Sequence, residues 1–474
     1  MTALLVILYF ASTCLVLFVL VRAVRASALG ILLVATMIWF LIGTCIYPLA
    51  YYLEIVQADV EVADFIARNG EPGIAAALHV FLAALGIFSG YLLRRRDKPE
   101  GRLLKAVAGT MLNANDAVVW GCSIALGVVA YVTYFNLVGV DVALMNAAAA
   151  RGGDLEGFGE KDAFVFLKTV AAVGFVATCF APVALFRKNW VFLVLYCLLI
   201  ATAYANSISR NLLLYSAIVP VLVHLRMKMD LRQKKASVFS YVLGLALIPF
   251  ALWVLTYGKV MGQVIRAYFS GDYYSMVDEV GDVNVIEVIL RNFGFQWVSV
   301  QAGIDHFNDT GFPFFSREHV LATFFGAVPS RVLTFLGLDF LYYGNVDPML
   351  ACVNSAAFGY AECTVPPLTI GYSAYLLPGV GGFLMGFIWL RMFAAIERLW
   401  RSIQSRDWRK VWIPYFLWGT VVNFLTFIPS TIALATTQLI WVFILSRLLA
   451  RTASSTVNLN AAAHAPLPRI ASIK

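Results

Sequence analysis

The chain is 474 residues long, 61% hydrophobic and only 13% charged, with a net charge of +8. No water-soluble core needs that much apolar surface, and apolar runs of about 20 residues recur along the whole length, which excludes a soluble globular enzyme. The surplus of Lys and Arg is distributed as a topology signal, which argues against nucleic acid as a partner.

In hydrocarbon the backbone must satisfy its own polar groups, and these runs have helix length rather than strand length. The sequence therefore predicts an all-α fold, a polytopic transmembrane helix bundle of about 11 spans with one large outside loop. The spans fall near 3–21, 28–52, 73–93, 117–137, 163–186, 190–206, 211–225, 238–258, 368–390, 411–428 and 430–447. Span 1 does not read as a cleaved signal peptide, because Arg22 and Arg25 follow its apolar run instead of preceding it. The chain divides into 1–258 (spans 1–8), 259–367 (the large loop), 368–447 (spans 9–11) and a tail at 448–474.

Placing the loops after spans 1, 3, 5, 7 and 9 on one side with the tail gathers most of the 35 basic residues there, Arg94, Arg95, Arg96, Lys234 and Lys235 among them. Most of the 27 acids fall on the opposite side. Basic loops stay inside, so the N-terminus is expected outside and the C-terminus inside.

On the acidic outer face arginine is scarce, and the few present invite a functional reading. Arg151 precedes two glycines in the loop 138–162. Arg210 stands in the polar patch Asn206–Asn211, where the polar residues alone would turn the chain. Arg291, Arg317 and Arg331 lie in the large loop. A guanidinium matches phosphate oxygens with two donors and keeps its charge, so a set of arginines at the outer surface suits a lipid-linked phosphate or diphosphate. Ion pairing or snorkelling to headgroups is the alternative for any one of them.

Within the large loop, 285–303 and 318–337 are amphipathic and suit helices at the outer membrane boundary or packed on the bundle. Cys352 and Cys363 lie in the same loop, where an oxidising outside would allow a disulfide between them and two buried thiols are the alternative; the other five cysteines read as small packing residues in spans. Asp278, Glu279 and Asp282 read as solvated acids, and no metal or cofactor is expected. Phosphate-binding, dinucleotide-binding and zinc-protease motifs are missing from the sequence. Lys168 either snorkels outward or lines a site, Asn423 reads as an interhelical hydrogen-bond former, and His79 as a helix-contact histidine. With no internal repeat and few central charges, chemistry at the outer surface fits better than transport through the middle.

The layout, with many spans, a short Ser-Arg turn and a large outside loop before the last spans, resembles the bacterial oligosaccharide repeat-unit polymerases of O-antigen and exopolysaccharide synthesis. The local likeness is carried by Pro329–Ser330–Arg331, then Pro366–Pro367, Ile370–Gly371 with Tyr375, and Gly379, Gly381, Gly382 and Gly386. The chain departs from the family where many members have Glu after Ile-Gly and it has Tyr372, and where a serine separates Pro329 from Arg331.

The resemblance implies a metal-independent glycosyl transfer between undecaprenyl-diphosphate-linked oligosaccharides on the periplasmic face of the inner membrane. It implies membrane lipid and a chain-length-regulating copolymerase as partners. Arg210, Arg317 and Arg331 become the favoured diphosphate ligands, with Arg151 and Arg291 next. His319 is the first choice for the base that takes the acceptor proton, and Glu362 and Asp347 are the alternatives. The span 9 glycines would allow close helix approach or leave a groove for the isoprenoid. An O-antigen ligase and a lipid-linked oligosaccharide transporter are the competing readings.

Overall fold

A computed structural model describes residues 1–58, 60–93, 108–112, 114–140, 142–143, 167, 170–207, 210–232, 285–311, 330–341, 346–359, 367–419 and 444. Every regular element among them is a helix. The first is α1, Thr2–Ala26, and the second is α2, Leu29–Tyr52. A short amphipathic helix, α3 (Val60–Asn69), leads into α4 (Ile74–Leu93). Next come α5 (Asp116–Val138), α6 (Ala172–Phe180 continued by Ala181–Arg187) and α7 (Trp190–Ser207).

Helix α8 starts as Arg210–Leu213 and runs through Leu214–Ile218 into Val219–Arg232. The large loop contributes α9 (Val285–Thr310), α10 (Ser330–Phe335) and α11 (Val346–Ala357). Last are α12 (Leu368–Leu376), α13 (Val380–Arg406) and α14 (Trp412–Leu417).

Five of these, α1, α2, α4, α5 and α13, are long and apolar enough to cross a membrane. They correspond to spans 1–4 and to the second half of span 9. The shorter α6, α7 and α8 cover parts of spans 5–7. Span 8, span 11 apart from residue 444, and half of span 10 fall outside the described residues, so the expected count of about 11 is not reached among them.

Prolines mark where the long helices loosen. A proline ring cannot donate to the ladder and clashes with the carbonyl four residues back. In α2, Pro48 follows the wider, π-helical turn Leu41–Ile46, and in α8, Pro220 follows a similar turn at Leu214–Ile218. In α6 the tighter 3₁₀ stretch Ala172–Phe180 ends just before Pro182.

The bundle is centred on the pair α4 and α13. Gly86 and Gly90 of α4 face Phe383, Phe387 and Leu390 of α13, while Gly382 and Gly386 face His79, Ala83 and Ile87. A methyl at Gly86 would overlap the Phe383 carbonyl oxygen, and one at Gly386 the Ala83 carbonyl oxygen. Small residues on both helices therefore let the backbones touch, which is how apolar helices associate in lipid. Of the two uses the sequence suggested for these glycines, close approach is realised at Gly382 and Gly386, and α4 occupies that face.

Polar contacts at one end tie together the loops that the Lys/Arg distribution assigned to the inside. Ser27 Oγ donates to Glu397 (3.2 Å), which also pairs with Arg401 (3.0 Å). The Ala28 N–H donates to Asp230 (2.9 Å), and Arg226 donates to the Arg25 carbonyl (2.8 Å). Lys410 and Trp412 both reach Asp116, at 2.6 and 3.0 Å. Loops after spans 1, 3, 7 and 9 thus share an end.

Two readings are sharpened. The stretch 285–303 suited either the outer membrane boundary or packing on the bundle, and it does not lie on the surface. Helix α9 enters the bundle until Phe293 meets Trp39 (ring centroids 4.4 Å apart), and Gln296 rests on Gly43, midway along α2. Its Trp297 is fully buried and donates to the Tyr9 hydroxyl at 2.9 Å. The apolar side of an amphipathic helix finds helix neighbours here, the packing alternative. Span 9 is not one helix from 368 to 390 either. It breaks at Leu377–Pro378–Gly379, and the crossing helix starts at Val380 and runs to Arg406.

Candidate functional site

The break before α13 is held by a histidine. The Gly379 N–H donates to His79 Nδ1 at 2.8 Å, which makes Nδ1 the bare nitrogen. The proton therefore sits on Nε2, which faces the Ile370 carbonyl at 3.2 Å and Ser373 Oγ at 3.0 Å. Gly379 has φ 75, the left-handed region that glycine adopts without a Cβ penalty. One neutral imidazole thus bonds both sides of the broken helix and satisfies the Gly379 N–H that the break leaves over. The expected result for His79→Ala is a loss of about 2–4 kcal/mol of stability, since buried donors and acceptors lose their partners. Thermal unfolding in detergent, compared with His79→Gln, measures it.

Above this joint, α9, α11 and α12 form a buried polar chain. Tyr375 Oη donates to Asn354 Oδ1 (3.0 Å), Asn354 Nδ2 donates to Ser299 Oγ (2.9 Å), and Ser299 Oγ donates to the Phe295 carbonyl (2.7 Å). Asn354, Ser299 and Tyr375 are all fully buried. Gly303 permits this closeness, because a Cβ there would sit 2.9 Å from the Tyr375 nitrogen.

Toward solvent the chain is flanked by titratable groups. Gln301 Nε2 donates to Asp305 Oδ1 at 2.7 Å, and Gln301 Oε1 accepts the Gly73 N–H at 3.0 Å. The His306 ring lies 5.4 Å from that of Tyr375. Burial raises the Asp305 carboxyl above its ordinary range, with the Gln301 hydrogen bond opposing and Asp309 adding to the rise. Burial also pushes the His306 imidazole down, against the pull of Asp309. A half-buried carboxyl and a neutral imidazole are both able to accept a proton from a hydroxyl.

The residues expected from sequence are placed unevenly. Arg210 opens α8 at the end opposite its basic C-terminal end. Arg331 lies in α10 and Asp347 in the first turn of α11. Arg291 lies in α9, two residues before Phe293. For these four the backbone alone is described. His319, Glu362, Arg317 and Arg151 lie outside the described residues, as do Lys168, Asn423, Asp278, Glu279 and Asp282. The described contacts neither join nor separate the eight site residues.

One outer arginine was passed over. Arg68 lies in the last turn of α3, and its guanidinium packs on Gly359, where a side chain would collide with it. Asn69 Nδ2 donates to the Ala357 carbonyl (2.9 Å) and Phe65 meets Phe358 (5.4 Å), so α3 docks on the end of α11. The same signal that selected the others, a lone arginine in an acidic outer loop, was present at Arg68. Nearby, Cys352 in α11 is disulfide-bonded, whereas Cys14, Cys45, Cys122, Cys179 and Cys197 are free. Cys363, the partner the sequence offers, lies outside the described residues.

Searches for related proteins add no relative to this geometry: no protein-family model, curated protein or solved structure matches the chain.

Proposed function

We propose that the protein is a metal-independent membrane glycosyltransferase that joins undecaprenyl-diphosphate-linked oligosaccharide repeat units, as in O-antigen or exopolysaccharide synthesis. The observation that carries the reading is the recurrence of arginine in separate outer segments of an acidic face, at Arg68, Arg151, Arg210, Arg317 and Arg331. The disulfide at Cys352 supports an oxidising, periplasmic side for that end. The joined inner-end loops support the positive-inside orientation, with the N-terminus periplasmic and the C-terminus cytoplasmic.

In this reading the terminal sugar hydroxyl of one lipid-linked unit attacks the anomeric carbon of the other. The bond from that carbon to the diphosphate oxygen breaks, the hydroxyl proton passes to a base, and undecaprenyl diphosphate leaves. Arginines hold the charge that develops on the leaving diphosphate. His319, Glu362 and Asp347 remain the sequence's choices for the base, and Asp305 with His306 joins them from the described outer end.

Incubating the purified protein with lipid-linked repeat units is expected to produce a ladder of lengthened chains on a gel. Active substrate with no ladder sinks the proposal. A ligase would need lipid A core as acceptor, which a polymerase does not. A second reading, a lipid-linked oligosaccharide transporter, is favoured by the broken helix at Leu377–Pro378–Gly379, since discontinuous helices build transporter sites. Movement of labelled lipid-linked oligosaccharide across liposomes without lengthening would decide for it.

A further inference from the structure

A pocket of about 20 Å³ lies where four helices meet, lined by Trp39 and Thr44 of α2, Gln296 of α9, Thr369 and Gly371 of α12, and Trp389 of α13. Gln296, Thr369 and Trp389 are 3%, 5% and 1% exposed. Among the described residues, Gln296 Nε2, Thr369 Oγ1 and Trp389 Nε1 have no hydrogen-bond partner. Each buried polar atom left so costs about 1–3 kcal/mol, and three around one pocket point to a shared guest.

The size and chemistry of the pocket select that guest. Its volume admits roughly one water molecule and no sugar ring or lipid headgroup. Among the described residues no Lys or Arg lines it, so an anion would be buried uncompensated. Among the same residues no Asp, Glu, His or Cys lines it, and the indole and amide N–H groups are donors that repel a cation. Water can accept from Trp389 Nε1 and Gln296 Nε2 and donate to Thr369 Oγ1.

We propose that this pocket is a built site for one ordered water molecule, which joins α9, α12 and α13 beside the widened turn of α2. The water is the polar counterpart of His79: the histidine ties α12, at Ile370 and Ser373, to Gly379 across the break, and the water ties Thr369 of α12 to α9 and α13.

Radiolytic hydroxyl labelling of the full-length purified chain in oxygen-18 water tests the site, because buried bound water labels the side chains around it. Trp389 is expected to carry about threefold more label than Trp412. Trp412 is a fitting control, being 0% exposed with its indole N–H bonded to Asp116. Equal labelling of the two tryptophans overturns the proposal. A Gln296→Leu/Thr369→Val double variant that stays monodisperse is expected to bring Trp389 down to the Trp412 level. Undiminished labelling in that folded variant also overturns it. The first comparison needs no variant, so misfolding of the second leaves it intact.

Discussion

Gly86→Val or Gly386→Val is expected to prevent α4 and α13 from docking and to abolish recovery of monodisperse protein. A Cβ at either position meets a backbone carbonyl oxygen of the facing helix, not the movable end of a side chain. The only relief is separation of the helices, which would also part Gly90 from Leu390 and Gly382 from His79. Overpacking of a tight contact costs ~3 kcal/mol, and in lipid no hydrophobic gain between helices offsets it. The comparison that isolates the effect is Gly121→Val in α5, where a Cβ meets nothing within 4 Å. If Gly86→Val and Gly121→Val elute alike on size exclusion and melt alike, the α4–α13 contact is not the centre of the bundle.

Arg210→Ala is expected to lower ladder formation by ~10²-fold, the usual loss when one charge-stabilising donor is removed from a transfer site. Arg210→Lys is expected to recover only a small part of that, because a lysine keeps the charge but not the two-pronged donor geometry. Arg210 opens α8, and protein level and monodispersity of each variant are read beside its activity to separate loss of function from loss of fold. Arg331→Ala, Arg317→Ala and Arg68→Ala extend the series to two other outer segments, the large loop and the one between spans 2 and 3. Full activity in all four alanine variants, with protein levels unchanged, would falsify the diphosphate assignment.

Much of the architecture was legible without coordinates because hydrocarbon imposes simple demands. A run such as Thr2–Ala26 or Ile74–Leu93 is apolar on every face, and in lipid only a helix satisfies its backbone. The pairing of loops by charge foretold that residues near 25–28, 114–116, 226–230 and 397–412 would meet at one end. His79, read as a helix-contact histidine, is one, although no pattern in the sequence named its partners 291 to 300 residues away.

The candidate site was much less legible. The outer arginines stood out by their scarcity, yet scarcity alone did not single out Arg68, whose docking on Gly359 depends on how α3 meets α11. Asp305 and His306 look like ordinary loop residues until α9 is seen to carry them beside Tyr375 and Gln301. The pocket between Gln296, Thr369 and Trp389 is invisible in the chain, because its three polar atoms come from three helices.

By itself, then, the sequence determined that the described residues are helical, that several of those helices are apolar and long enough to cross a membrane, and which of the described loops lie together. Those properties follow from local composition: the length of each apolar run and the sign of the charge beside it. Only the tertiary structure decided that α9 enters the bundle and that 368–390 is two helices. The amphipathic pattern of α9 serves a membrane surface or a helix groove equally well, and the choice fell to Gly43 and Gly294, which admit Gln296 and Tyr47. Pro378 and Gly379 permit a break, but a break is stable only where something bonds the freed backbone, and His79 arrives there from another helix.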